Sequence, residues 1–231
     1  MQNYDEAILR SRRVDPAAPF PVLHQAVRIA LYDEYAARSF YQRVAEAYGG
    51  RQPFARIARS EAQHIAALSA ICDRLGISRP LDPFPEETVI ESGWLANCNR
   101  AIAGEVANVR LYAGLLEVVR DAGVIRVFRN LQAASYENHL PAFQQAARLA
   151  ADQERYHQQQ GVPAQQAYVR HGPVSDLFEQ VLARASGSSG LLGVVSPVLR
   201  NAHPALLAGL VIGGGGTWLV REKLKRKSQE K

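Results

Sequence analysis

Apolar residues recur at intervals of three and four positions along four long stretches of the chain, which is the pattern of amphipathic α-helices. The four predicted helices cover about residues 21–48, 53–75, 94–120 and 124–158. Glycine follows shortly after each of the first three, where helices commonly end. No stretch alternates apolar and polar residues for long enough to predict a strand. The sequence therefore predicts an all-α protein.

The lengths of the connections predict how these helices are arranged. Short links join the first helix to the second, at Gly49-Gly50, and the third to the fourth, at Asp121-Ala122-Gly123. The link between the second and third helices is long and contains three prolines. Because short links favour antiparallel neighbours, the pattern predicts a four-helix bundle of two antiparallel hairpins with one crossover.

Composition divides the chain into four segments. We assign residues 20–160 to the bundle and residues 1–19 to an N-terminal extension. Residues 161–190 are predicted to contain a short helix with Ser175 as its N-cap, followed by a flexible Gly/Ser linker. Residues 191–231 form an apolar, Gly-rich tail with a basic end.

Several titratable side chains fall on the apolar faces of the predicted helices. In the stretch RSEAQHIAAL, Glu61 and His64 share a face with the surrounding leucine and isoleucine residues. Glu34, Glu105 and His139 lie within apolar stripes of the other three helices. A buried unpaired carboxylate costs several kcal/mol unless a cation or a proton compensates it, so this group of residues requires an explanation.

The same residues are predicted to lie at matching depths in the bundle. Glu34 and His64 are equidistant from the turn of the first hairpin, and Glu105 and His139 from the turn of the second. Three carboxylates and two imidazoles without a thiolate form a ligand set that suits iron or manganese. The alternative is a metal-free bundle whose acids are protonated or bridged by water.

Both halves of the predicted bundle also place a tyrosine seven residues after the acid. Tyr41 follows Glu34 at this spacing, and Tyr112 follows Glu105. We interpret this as a faint internal repeat, with packing as the favoured role of the tyrosines and a redox role near the metals as the alternative.

The stretches DEYAARSFY, FARIARSEAQHI, GEVANVRLY and SYENHLPAF resemble the ferritin-like superfamily, and in particular a bacterial ferritin-like domain family of uncharacterised function. The resemblance covers about residues 20–150. That superfamily holds two metals with one Glu from each of two helices and Glu-x-x-His from each of the other two. The resemblance implies that the chain binds two iron ions, with manganese as an alternative, through the following metal ligands: Glu34, Glu61, His64, Glu105 and His139.

The fourth helix departs from the family pattern. The position three residues before His139, where the second Glu would stand, is occupied by Tyr136. Glu137 is two residues before His139, which places it on the other side of a regular helix. Four outcomes remain open: a Tyr136 phenolate, with Ser135 as a further candidate ligand; a bend at Pro141 that brings Glu137 inward; a water ligand; or a second metal that binds weakly or not at all.

The distribution of charge separates the tail from the rest of the chain. Residues 1–186 carry 20 Arg and no Lys against 20 Asp plus Glu, so the net charge of +5 belongs to residues 187–231. The bundle therefore shows no basic surface for nucleic acid. The N-terminus lacks an apolar leader, and the two cysteines lack metal-binding spacing, so we expect a cytoplasmic domain.

The tail carries features of an anchor. Ala205–Val220 contains no charge but would span only about 24 Å as a helix, less than the ~30 Å core of a bilayer. Trp218 and the basic residues after it are typical of a membrane-interface anchor. We expect residues 187–231 to contact a membrane surface or a protein assembly. The candidate anchor residues are Trp218, Arg221, Lys223, Lys225, Arg226 and Lys227.

Two functions are compatible with these patterns. The resemblance implies a metal-binding, ferroxidase-like protein that oxidises Fe(II) with dioxygen or peroxide, for iron handling or protection against oxidative stress. We expect it to be a homo-oligomer that is targeted by its tail. The alternative is a non-catalytic interaction scaffold in which the tail is the functional part.

Overall fold

A computed structural model of the protein describes residues 3–159 and 161. Every regular element within those residues is helical, so the all-α prediction is confirmed for the part of the chain that the structure describes. The predicted short helix, the linker and the anchor residues of the tail lie outside the described residues. In chain order the elements are α1 Glu6–Ser11, α2 Val22–Ala47, α3 Phe54–Leu75, α4 Phe84–Glu87, α5 Trp94–Val118, α6 Ala122–Ala133, a π-helical turn Ala134–His139, and α7 Leu140–Gln159.

Glycine follows the first two long helices, as the sequence predicts, whereas Gly123 lies inside α6 and Asp121 caps that helix. Gly49 and Gly50 have φ values of 63° and 80° after α2. Gly76 has a φ of 65° and follows α3 directly. Glycine adopts this left-handed conformation without the steric cost that other residues incur. The side chain of Asp121 accepts a 2.9 Å hydrogen bond from the backbone N–H of Val124 and thereby caps α6.

The four long helical segments pack pairwise around a shared apolar core. Helix α2 packs along α3, α5 packs along α6 and the π-helical turn, and α2 also contacts α5. Short links join α2 to α3 and α5 to α6, which is typical of antiparallel neighbours. Leu31, Leu68, Tyr112 and Phe128 represent the four segments in one buried cluster. The chain up to Ala150 forms one compact unit.

The predicted N-terminal extension contains a helix that packs on the core. Helix α1 contacts α2, and its Leu9 is fully buried. The guanidinium of Arg28 in α2 donates two hydrogen bonds, of 2.6 and 2.7 Å, to the carboxylate of Asp5. Both residues are buried, and such a bidentate pair fixes the position of α1 with high geometric specificity.

The π-helical turn ends at His139, two residues before Pro141. Proline has no N–H, so it cannot donate to the carbonyl oxygen four residues earlier, and its ring crowds that carbonyl. The wider turn accommodates this local loss of α-helical hydrogen bonding. Ser135 and His139 point into the protein, whereas Glu137 is exposed and Tyr136 has 62% of its surface exposed.

Among the described helices, none combines the length and the apolar composition that crossing a bilayer requires.

Candidate metal centre

Three carboxylates and two imidazoles come together inside the helical unit. Glu34 is contributed by α2, Glu61 and His64 by α3, Glu105 by α5, and His139 by the π-helical turn. Each of the five is at most 6% exposed. The structure thus brings together all five residues that the sequence predicts as ligands.

The five residues form two groups that share one member. The first consists of Glu34, Glu61 and His64, and the second of Glu61, Glu105 and His139. Within each group the available ligand atoms lie within 4.8 Å of one another. Glu61 is common to both groups because α3 places it between the two histidines.

The two oxygens of Glu61 face different histidines. Its Oε2 lies 2.6 Å from Nδ1 of His64, and its Oε1 lies 3.1 Å from Nδ1 of His139. The outer carboxylates complete the arrangement: Glu34 lies 3.2 Å from the same nitrogen of His64, and Glu105 lies 3.5 Å from that of His139. A carboxylate with one oxygen toward each group has the geometry of a bridge between two cations.

The donor atoms satisfy a simple test for a metal site. Nδ1 of His139 is buried and has no hydrogen-bond partner among the described residues, although Glu61 is close to it. Neighbouring ligand atoms in an octahedral site with bonds of about 2.1 Å are about 3 Å apart, which is close to the observed spacing. Oxygen and imidazole nitrogen donors without thiolate suit iron and manganese. The residues therefore fit a divalent cation of that class.

Without a metal cation, bound protons offset the negative charge of the buried carboxylates. Burial and the neighbouring charge of Glu61 raise the pKa of Glu34 to about 7. Burial opposes charging of His64, but its hydrogen bonds to Glu34 and Glu61 outweigh burial and raise its pKa to about 10. Burial likewise opposes charging of His139, but the nearby carboxylates of Glu105 and Glu61 raise its pKa to about 9. In the metal-free protein the surrounding carboxylates therefore favour the protonated form of both imidazoles.

Two tyrosines hold the outer carboxylates from the opposite helix. The hydroxyl of Tyr41 in α2 donates a 2.6 Å hydrogen bond to Glu105 in α5, and that of Tyr112 in α5 donates a 2.6 Å hydrogen bond to Glu34 in α2. Burial and the nearby carboxylates raise the pKa of both tyrosines well above the usual value. The repeated Glu-x6-Tyr spacing thus produces a reciprocal pair of hydrogen bonds between α2 and α5.

The cluster has further polar neighbours that the sequence analysis missed. Asn108 donates to Asp33 at 3.0 Å and to Glu34 at 3.4 Å, and it accepts a 2.9 Å hydrogen bond from Ser135. Asp33 also forms an ion pair with Arg12. Asn108 and Asp33 lie on the same helices as the candidate ligands. Their polar side chains alone did not indicate that they would lie beside the cluster.

Ser60 contacts both histidines on the side away from the carboxylates. Its Oγ lies 3.1 Å from Nε2 of His139 and 3.5 Å from Nε2 of His64. The two imidazole rings are stacked, with centroids 5.5 Å apart and planes 23° apart. One hydroxyl oxygen therefore lies between two ring nitrogens, which leaves both Nδ1 atoms directed at the carboxylates.

The additional candidate ligands are not brought into the cluster. Tyr136 and Glu137 are exposed on the π-helical turn. The alternative in which a bend at Pro141 brings Glu137 into the cluster is therefore wrong. Ser135 is buried, but its hydroxyl is bonded to Asn108. The fourth carboxylate of the family pattern has no counterpart among the residues gathered here.

No protein-family model matches this chain, and no curated protein matches its sequence. Among solved structures, the chain is similar to a hypothetical protein from Methanococcus jannaschii, with a TM-score of 0.48 and 16% sequence identity. The alignment covers 65% of this chain and 89% of the other.

Proposed function

We propose that this chain is a ferritin-like four-helix-bundle protein that binds two iron ions and oxidises Fe(II) with dioxygen or peroxide. The observation that carries the proposal is the placement of Glu61, with one carboxylate oxygen toward each histidine. Buried carboxylates that converge on two imidazoles are costly without compensation, and a pair of divalent ions supplies it.

The two groups define the ligands of the two ions. Glu34 and His64 would hold one ion, Glu105 and His139 the other, and Glu61 would bridge them. When bound, each Fe(II) supplies one electron to the oxidant. Iron is the favoured metal, and manganese suits the same donors.

The protein's own residues orient this ligand set. Tyr112 holds Oε1 of Glu34, which leaves Oε2 of that carboxylate toward His64. Tyr41 holds Oε1 of Glu105, which is the oxygen that also lies 3.5 Å from Nδ1 of His139. Hydrogen bonds of this kind to ligand groups fix their orientation and tune the metal. Each ion would be held by three protein residues, fewer than the six positions of an octahedral site, so coordination positions would remain for an exogenous ligand.

Oxidation of Fe(II) tests the proposed activity. Protein loaded with Fe(II) under argon should form Fe(III) on exposure to oxygen or peroxide much faster than Fe(II) in the same buffer without protein. Formation of Fe(III) is followed by its near-ultraviolet absorbance in stopped flow. A rate equal to that of the buffer control would contradict the activity while leaving metal binding intact.

Ser60 should contribute to metal affinity through the histidines. When Nδ1 binds a metal, Nε2 carries the proton, and the oxygen of Ser60 can accept hydrogen bonds from both rings. Ser60→Ala should weaken metal binding by about 10- to 100-fold, the usual effect of losing such a partner. Ser60→Thr keeps the hydroxyl and should retain most of the affinity in competition titrations against a chelator. Equal affinities in wild type and Ser60→Ala would remove this role.

A further inference from the structure

A cleft of about 340 Å³ lies between α2 and α5 and reaches the carboxylate cluster. Its buried end is lined by Glu61, Glu105 and Tyr41, and its exposed end by Arg12 and Arg100, whose side chains are 45% and 44% exposed. A volume in this range admits a small organic molecule. The cleft therefore connects solvent to the metal ligands.

Small residues create the cleft. Its walls include Ala36 and Ala37 from α2, and Ala103, Gly104 and Ala107 from α5. A methyl group added at Gly104 would lie 3.8 Å from the hydroxyl oxygen of Tyr41, which is ordinary contact distance. Larger side chains at this position would extend into the cleft. These small residues thus offer a short apolar surface beside the polar and charged residues of the cleft.

The charges along the cleft favour an anion once metals are bound. The ligands Glu34, Glu61 and Glu105 provide three negative charges against four positive charges on two divalent ions. Asp33 also lines the cleft, but it is buried and paired with Arg12. Arg100 adds positive charge at the exposed end, where its guanidinium also contacts Glu91 and lies over the ring of Phe40.

We propose that this cleft is a binding site for a small monocarboxylic acid, whose carboxylate supplies the negative group that the dinuclear cluster lacks and whose short apolar chain packs against the alanines. The inference rests on the proposed dinuclear site. An exogenous carboxylate here takes the place of the fourth acid that Tyr136 and Glu137, both exposed, do not provide.

Butyrate tests this site on the full-length protein. Metal content is measured first, and butyrate binding is then measured by isothermal titration calorimetry under argon on metal-free and Fe(II)-loaded samples. The Fe(II)-loaded protein should bind butyrate at least about tenfold more tightly than the metal-free protein, because bound cations dominate the local charge. 1-Butanol should not compete, because it matches the apolar chain but lacks the charge.

Two pairs of variants locate the binding. Gly104→Leu should fill the cleft and remove butyrate binding, whereas Gly114→Leu on the same helix lies outside the cleft and should not. Arg100→Gln should weaken binding about two- to fivefold, as expected for one exposed charge, and Arg110→Gln should have no effect. Metal content of each variant shows that its cluster is intact.

The outcomes separate this inference from the proposed function. A chain that takes up no metal overturns both. Metal-loaded protein that does not bind butyrate, or that binds it equally in wild type and a metal-loaded Gly104→Leu variant, overturns the carboxylate site alone.

Discussion

Glu61→Gln is expected to eliminate binding of both metal ions, because Glu61 is the only residue common to the two ligand groups in the described part of the chain. Glutamine keeps the size of the side chain but removes the charge that the two groups share. The stabilisation of the folded protein by bound metal should also be lost. This stabilisation is about 3–4 kcal/mol when the free metal concentration exceeds the dissociation constant by 100- to 1,000-fold. Metal analysis after anaerobic loading measures the first effect, and the melting temperature with and without metal measures the second.

The matched control for this variant is Glu137→Gln. Glu137 is an exposed acid on the π-helical turn, near His139 in sequence but directed away from the cluster. It should retain the metal content and the metal-dependent melting temperature of the wild type. Wild-type metal content in Glu61→Gln would contradict the bridging role.

The metal-free protein is expected to lose stability as the pH rises from about 6.5 to about 9. The pKa values of His64 and His139 are raised in the folded state to about 10 and about 9, above the ordinary value of 6.5. Their contribution to stability is therefore fully present below pH 6.5 and is lost as the pH rises through the folded values. The raised pKa of Glu34, about 7, acts in the same direction at slightly lower pH.

Melting temperatures of chelator-treated protein across this range test the effect, which should amount to several degrees. The lowered pKa of Glu61 acts in the opposite sense but contributes only below its ordinary value of 4.5, outside this window. The metal-loaded protein should not show the same decline, because metal binding requires neutral histidines and is favoured as they deprotonate. A metal-free melting temperature that is independent of pH between 6.5 and 9 would contradict the proton-compensated cluster.

The sequence was sufficient to predict the long helices and the convergence of the five buried acidic and histidine side chains. Gly76 and the Gly49-Gly50 pair mark helix ends through backbone chemistry that is local. A short turn fixes the register of a hairpin, so Glu34 and His64, which are equidistant from Gly49-Gly50, are predicted to lie side by side. Their 3.2 Å contact confirms this pair. Periodicity, turns and register are properties that neighbouring residues determine.

What the sequence did not predict depends on contacts between distant segments. The contact of Ser60 with His139, and the hydrogen bonds that Tyr41 and Tyr112 donate across α2 and α5, require the relative rotation of packed helices. The buried pair of Arg28 with Asp5 likewise depends on where α1 docks. The presence of Pro141 predicts a local disturbance of the helix. It does not predict that the disturbance takes the form of a π-helical turn with Glu137 exposed.

The number of iron ions bound per chain distinguishes a dinuclear metal centre from a metal-free cluster. Full-length protein is stripped with a chelator and titrated anaerobically with Fe(II), and bound iron is counted after removal of the excess by gel filtration. We expect about two Fe(II) per chain, one for each group that shares Glu61. No retained iron at saturating Fe(II) would show that the buried acids and histidines are compensated by protons alone, and would contradict the metal centre.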